Sequence, residues 1–120
     1  MHELTLPLYQ LCQAAGEQLR ALYAQNLRRP LTVDFKDDSS PVTEADRRSN
    51  QILQQGLARI SPGLHILSEE TAIPDFDQRS QWNRYWLVDP LDGTREFLDG
   101  SGQFCISIAL VDSCRPVLGV

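Results

Sequence analysis

The chain has 120 residues, of which 42% are hydrophobic and 22% are charged, and its formal net charge at pH 7 is -5. This composition indicates one folded unit rather than a disordered segment. The acidic balance argues against binding to DNA or RNA polymers, which requires clustered Lys and Arg, and it leaves metal cations as natural partners. No apolar run approaches the roughly 20 residues that cross a bilayer, and no secretion signal precedes the first helix, so we expect a cytoplasmic protein.

The first predicted element is an amphipathic helix. Apolar residues recur at steps of three and four from Leu4 to Tyr23, which places them on one helical face, and the pattern ends between Asn26 and Pro30. Thr5 could cap this helix, and Pro7 is tolerated because first-turn amides have no helical acceptor. The three cysteines lack the spacing of a zinc or redox pair, so we interpret them as reduced thiols. Cys12 and Cys105 fall on apolar patterns and are predicted in the core, whereas Cys114 lies in a polar turn.

A second helix follows a possible short strand (31–35) and a polar loop (36–41). Thr43 is a suitable cap, and acidic residues fill the first turn. The helix ends before Ser61-Pro62-Gly63. Its apolar face is formed by Ile52, Leu53, Leu57 and Ile60.

Four short apolar segments come next and are predicted to be strands, the last two forming a hairpin. They are residues 64–67, 85–88, 104–111 and 117–120. Two amino-terminal helices packed on such a mostly antiparallel sheet make an α+β fold. Val120 falls within or just after a strand, so we interpret residues 1–120 as the amino-terminal portion of an interrupted domain whose carboxy-terminal portion is absent. Its open sheet edge could pair with another chain.

The segment WLVDPLDGTREF (86–97) carries the chemistry that stands out most. Asp89 and Asp92 offer carboxylates from a backbone stiffened by Pro90, and hard divalent cations such as Mg²⁺ prefer oxygen ligands. Gly93 permits close approach of a ligand to the main chain. A helix beginning near Thr94 would point free amides towards a phosphate.

A further acidic pair, Glu69 and Glu70, follows the strand predicted at 64–67. Two neighbouring strands could therefore deliver carboxylates to one edge of the sheet, where they would repel each other unless a cation lay between them. Taken singly, each of these features has an ordinary explanation, since Asp-Pro and Asp-Gly pairs are common in turns and two glutamates can be solvated loop charges. Their combination indicates a metal site.

Two other metal or phosphate motifs fit less well. Haloacid-dehalogenase-type phosphatases separate their two aspartates by one residue, whereas two residues separate Asp89 from Asp92. An EF-hand loop alternates its ligands before the glycine, and this turn does not.

Three segments together resemble the inositol monophosphatase superfamily in their order and approximate spacing: residues 38–46, which end in PVTEAD, then ILSEE (66–70) and WLVDPLDGTREF (86–97). The sequel Arg95-Glu96-Phe97 is similar to that of the bisphosphate nucleotidase branch. The resemblance extends from about Leu8 to Val120 and implies the first half of a layered α-β-α-β-α sugar-phosphatase fold. The further metal-binding aspartate that the family carries in a WD-containing motif of its second half has no counterpart here.

The resemblance also implies a role for each matching residue. The expected metal ligands are the side chains of Glu69, Asp89 and Asp92 and the backbone carbonyl of Leu91. The expected catalytic pair that activates the attacking water is Asp46 and Thr94. The residues expected to contact the substrate phosphate are Glu69, Asp92, Gly93, Thr94 and Arg95. Glu70 is expected to contact the metal ligands without binding the metal itself.

The activity implied by the resemblance is Mg²⁺-dependent hydrolysis of a phosphate monoester. The expected substrate is a small phosphorylated molecule, adenosine 3'(2'),5'-bisphosphate or its sulfated relative, which would yield AMP or adenylyl sulfate and phosphate in sulfur assimilation. Inositol or sugar phosphates are the alternative substrates, and a truncated metal-binding or interaction module without activity is the alternative from another class. The same resemblance implies a cytoplasmic location, peripheral on the inner membrane in some bacterial relatives, and leaves a homodimer or pairing at the open sheet edge as expected modes of association.

Overall fold

The computed structural model describes residues 3–36, 41–70 and 75–120, without the side chain of residue 41. Its helices are α1 (Thr5–Arg28), α2 (Glu44–Ile60), α3 (Phe76–Arg79) and α4 (Thr94–Asp99). Its strands are β1 (Asp34–Phe35), β2 (Pro41–Val42), β3 (His65–Ser68), β4 (Arg84–Asp92), β5 (Cys105–Asp112) and β6 (Arg115–Gly119).

Both long helices occur where the apolar periodicity predicts them. At α2, Thr43 is the cap: its hydroxyl accepts a hydrogen bond from the Ala45 amide at 3.1 Å, and Asp46 accepts one from the Thr43 amide at 2.8 Å. At α1 the predicted cap is wrong, because the helix already includes Thr5 and its capping position is Leu4. The short helix α3 carries no apolar periodicity and was not predicted.

The main sheet has the strand order β3-β4-β5-β6. Strands β3 and β4 run parallel, whereas the other two pairings are antiparallel, so the predicted α+β class with a mostly antiparallel sheet is confirmed. The predicted hairpin is β5–β6, whose turn places Ser113 and Cys114 at positive φ. Strands β1 and β2 form a separate two-stranded antiparallel pair.

The core lies between the two long helices and one face of the sheet. The main cluster of buried side chains contains Leu8, Ala15, Leu53, Leu57, Trp86, Val88, Ile108 and Leu110. A second cluster lies beneath the β4–α4 turn and contains Leu19, Leu22, Ala45, Leu91 and Phe97. Burial of each large apolar side chain contributes about 1.5–3 kcal/mol, so these clusters fix α2 against the end of β4.

The prediction that Cys105 lies in the core is wrong, since the structure exposes it. Side chains of a strand alternate between the two faces of the sheet. In β5, Ile108 and Leu110 point to the helical layer and are at most 2% exposed, whereas Cys105 and Ser107 belong to the opposite face. An apolar run in the sequence does not show that helices pack on only one face of this sheet in the chain. Among the described helices, none is long and apolar enough to span a membrane.

Candidate active site

The parallel pairing of β3 and β4 brings two carboxylates to one edge of the sheet. Ser68 is in register with Val88, so Glu69 and Asp89 come next at the same end of the two strands. The Glu69 amide donates a hydrogen bond to the Val88 carbonyl at 3.4 Å and continues the ladder to this point. The predicted convergence of these strand ends is therefore present.

A bulge in β4 presents the next carboxylate. Asp89 pairs with Ser107 and Asp92 with Cys105, so the register shifts by one residue between these two pairs. Within the bulge, the Leu91 amide donates to Asp89 Oδ1 at 3.3 Å. The bulge bends the end of the strand so that both aspartates border the same cavity.

Gly93 ends the bulge in a conformation that favours glycine. Its φ is 95°, and a Cβ at this position would lie 2.7 Å from the Gln103 carbonyl oxygen. Its own carbonyl accepts a hydrogen bond from the Phe97 amide at 2.8 Å, which closes the first turn of α4. The helix predicted near Thr94 is thus confirmed, with Gly93 at its capping position.

These elements enclose an open cavity of about 670 Å³. Among the described residues, five carboxylates and two cationic side chains line this cavity, so its wall carries a net negative charge. The carboxylates are those of Glu69, Glu70, Asp89, Asp92 and Glu96, and the cations are Lys36 and Arg95. The lining also includes Leu91, Gly93 and Thr94, so each residue expected to bind metal or phosphate borders one cavity.

The crowding of negative charge is visible at Asp89. Its pKa is raised from 3.8 to about 6, first because the carboxyl group is partly buried and then because Glu69 and Asp92 lie near it. The bond from the Leu91 amide and the charge of Lys36 act in the opposite direction. Burial and the two neighbouring carboxylates therefore both disfavour the ionised form of Asp89.

Asp46, the expected catalytic aspartate, lies beneath the cavity and is 1% exposed. Its Oδ2 accepts hydrogen bonds from the amide and the hydroxyl of Thr43, at 2.8 and 2.9 Å. Its Oδ1 accepts one from the Thr94 hydroxyl at 2.8 Å. The helix cap of α2 thus also fixes the carboxylate that orients Thr94, a residue that borders the cavity and whose hydroxyl oxygen also lies 3.5 Å from the Leu91 carbonyl oxygen.

Lys36 is a feature that the sequence argument missed. Its Nζ lies 2.7 Å from Glu70 Oε1, and the Glu70 side chain is only 7% exposed. Burial of the amine lowers the pKa of Lys36, but the hydrogen bond to Glu70 and the charges of the nearby carboxylates together outweigh it, so the pKa is raised. The sequence feature that could have indicated this pair is a single lysine directly before the acidic segment 37–46. Residues 37–40 of that segment lie outside the described residues.

The chemistry of the donors fits a hard divalent cation, because the facing side chains offer carboxylate oxygen. Burial and then the neighbouring carboxylates raise the pKa of Asp89, and a bound cation would counteract both effects by favouring the ionised form. As placed, however, no three acidic, His or Cys side chains in the described part of the chain form a group that could hold a metal ion.

Known proteins share the sequence pattern and the fold of this chain. The sequence matches the profile of the inositol monophosphatase family over residues 1–120. It is 44% identical to the 3'(2'),5'-bisphosphate nucleotidase CysQ of Aggregatibacter actinomycetemcomitans over 111 residues, which are 92% of this chain and 40% of that protein. The chain thus spans less than half the length of this relative.

Two solved structures show the same fold. The extragenic suppressor protein SuhB of Bartonella henselae superposes with a TM-score of 0.85 at 31% identity, over 99% of this chain and 44% of that one. An IMPase/NADP phosphatase solved in complex with Mg²⁺ and phosphate gives a TM-score of 0.70 at 26% identity, over 93% and 42% of the two chains. With the profile match over its whole length, this chain belongs to the inositol monophosphatase family.

Proposed function

We propose that the protein to which this chain belongs is a Mg²⁺-dependent phosphate monoester hydrolase that acts on adenosine 3'(2'),5'-bisphosphate. The observation that carries the proposal is the hydrogen bond between the buried Asp46 and the half-buried Thr94, which borders a cavity lined by Glu69, Asp89 and Asp92. The substrate is inferred from the nucleotidase to which the chain is 44% identical. We further propose that the reaction serves sulfur assimilation in the cytoplasm.

In this proposal the metal is held by the side chains of Glu69, Asp89 and Asp92 and by the carbonyl of Leu91. Bound Mg²⁺ would supply a more acidic water and compensate negative charge on the phosphate and the leaving oxygen. Support comes from the oxygen donors of the cavity and from the related phosphatase that was solved with Mg²⁺ and phosphate. Glu70, paired with Lys36, would keep the nearby ligands in place.

The protein groups then position the water and the phosphate. The Thr94 hydroxyl donates a hydrogen bond to Asp46, so the Thr94 oxygen can accept a hydrogen bond from a water molecule and orient it, with Asp46 able to receive the proton that the water loses. Gly93 offers backbone free of a side chain, and Arg95 offers a cation at the cavity wall. Catalysis in this scheme consists of positioning and charge stabilisation, without a covalent nucleophile.

An inositol or sugar monophosphate is the second candidate substrate. The observation that favours it is the match to the inositol monophosphatase family and to a phosphatase described as both IMPase and NADP phosphatase. Hydrolysis of either candidate would use the same metal chemistry, so the same carboxylate-lined cavity would serve both.

The test is a phosphate-release assay on the longest reading frame that contains this chain. We expect Mg²⁺-dependent turnover of adenosine 3',5'-bisphosphate at least tenfold faster than that of inositol 1-phosphate, and loss of turnover in Asp89→Ala. The exposed Asp77→Ala is the matched control and should keep full activity. Faster hydrolysis of inositol 1-phosphate would favour the second candidate. Mg²⁺ binding without hydrolysis of either substrate would instead identify a noncatalytic module.

A further inference from the structure

One face of α2 changes character along its length. Asp46, Ser49 and Leu53 follow one another at helical spacing, and all three are at most 1% exposed. The apolar end of this stripe packs in the core, whereas its polar end lies under the candidate active site. Buried polar groups require hydrogen-bond partners, so the partners of these residues show which parts of the site α2 contacts.

Ser49 holds the bulge of β4. Its hydroxyl donates to the Pro90 carbonyl at 2.6 Å, and both residues are buried. Pro90 lies between Asp89 and Asp92, where the register with β5 shifts. The serine therefore supplies, from a helix 41 residues away in sequence, a bond to the backbone between the two aspartates.

Asn50 holds the end of β3 in a comparable way. The Ser68 hydroxyl donates to Asn50 Oδ1 at 2.6 Å, and the same hydroxyl accepts a bond from the Glu70 amide at 3.3 Å. Glu69 lies between these two anchored residues. Adjacent residues of α2 thus bind the two strand ends that carry the facing carboxylates.

We propose that Ser49 and Asn50 are positioning residues of this site, which set the distance between Glu69 on one strand end and the Asp89–Asp92 bulge on the other. The proposal rests on the proposed function, because it assumes that these carboxylates share a cation. Residues that orient metal ligands from behind typically alter metal affinity by about 10–100-fold when they are removed. A purely structural role would lower stability and leave the affinity unchanged.

The experiment uses the protein encoded by the longest reading frame that contains this chain. Isothermal titration calorimetry measures its Mg²⁺ affinity, and thermal unfolding measures the melting temperature of the metal-free protein. Ser49→Ala should weaken Mg²⁺ binding about tenfold. The matched control is Ile60→Val, on the same helix but packed against the main core cluster. It should lower the melting temperature while its Mg²⁺ affinity stays within about twofold of the parent's.

Asn50→Ala provides an independent variant, because Asn50 is half-buried and its loss threatens folding less than that of Ser49. It should also weaken Mg²⁺ binding, by about tenfold. Variants that melt earlier but bind Mg²⁺ as the parent does would overturn the positioning role and leave the proposed function intact. A parent protein that binds no Mg²⁺ would overturn both.

Discussion

Mg²⁺ binding by this chain should weaken steeply when the pH falls below 6. The pKa of Asp89 is raised from 3.8 to about 6 by burial and by the charges of Glu69 and Asp92. A metal ligand must be deprotonated, so protons compete with the cation for this carboxylate. At pH 5 the protonated form exceeds the ionised form about tenfold, and the apparent affinity should fall about tenfold from its value at pH 7.

Calorimetric titrations with Mg²⁺ at pH 5, 6 and 7 would measure this dependence. Asp89→Asn is the control, because its affinity should be weak at all three pH values. Equal affinity of the parent chain at pH 5 and 7 would refute the reasoning, since an aspartate with a pKa of 3.8 is ionised at both.

The titration of Asp89 should also change the stability of the metal-free chain, which should fall as the pH rises. A carboxyl group whose pKa is raised on folding stabilises the fold below its unfolded pKa, and this contribution is lost as the pH rises through the folded pKa. For Asp89 the loss falls between about pH 4 and 6. Urea unfolding across this range should show the decline in the parent, and Asp89→Asn should reduce it.

Three further predictions concern single residues. Gly93→Ala should cost at least about 1–3 kcal/mol in urea unfolding, because a Cβ would lie 2.7 Å from the Gln103 carbonyl oxygen at a φ of 95°; unchanged stability would contradict this account of the turn. Thr94→Ala should lower kcat about 100-fold, measured by phosphate release, and should cost about 1–3 kcal/mol in urea unfolding, because Oδ1 of the buried Asp46 loses its hydrogen-bond donor. Leu53→Ala removes a fully buried side chain and should cost about 2–5 kcal/mol, whereas Leu6→Ala, at a position 61% exposed, should stay within about 0.5 kcal/mol in the same unfolding assay.

The helices and strands could be predicted because each is specified by neighbours in the sequence. The spacing of apolar residues predicts α1 and α2, and Thr43 marks the start of α2. The strands β3 to β6 lie within a few residues of the predicted segments. Two features without such a repeating pattern were not predicted correctly. The cap of α1 is Leu4 and not Thr5, and the four-residue helix α3 is too short to show an apolar repeat.

The candidate site could be predicted in part. The acidic residues stand in short motifs whose chemistry is recognisable in the sequence, and the cavity collects them as expected. The ion pair between Lys36 and Glu70 and the bond from Ser49 to Pro90 were not foreseen. Nothing local distinguishes such a lysine or serine from an ordinary surface residue.

By itself, the sequence determined the amphipathic faces of the helices, the strand segments and the clustering of carboxylates at strand ends, because these depend on residues a few positions apart. Only the tertiary structure decided the parallel register of β3 with β4, the exposed face on which Cys105 lies, and the hydrogen bond from Thr94 to Asp46 across 48 residues of sequence. These features depend on how separate elements pack, and packing is fixed by the burial and hydrogen bonding of the whole chain rather than by any one segment.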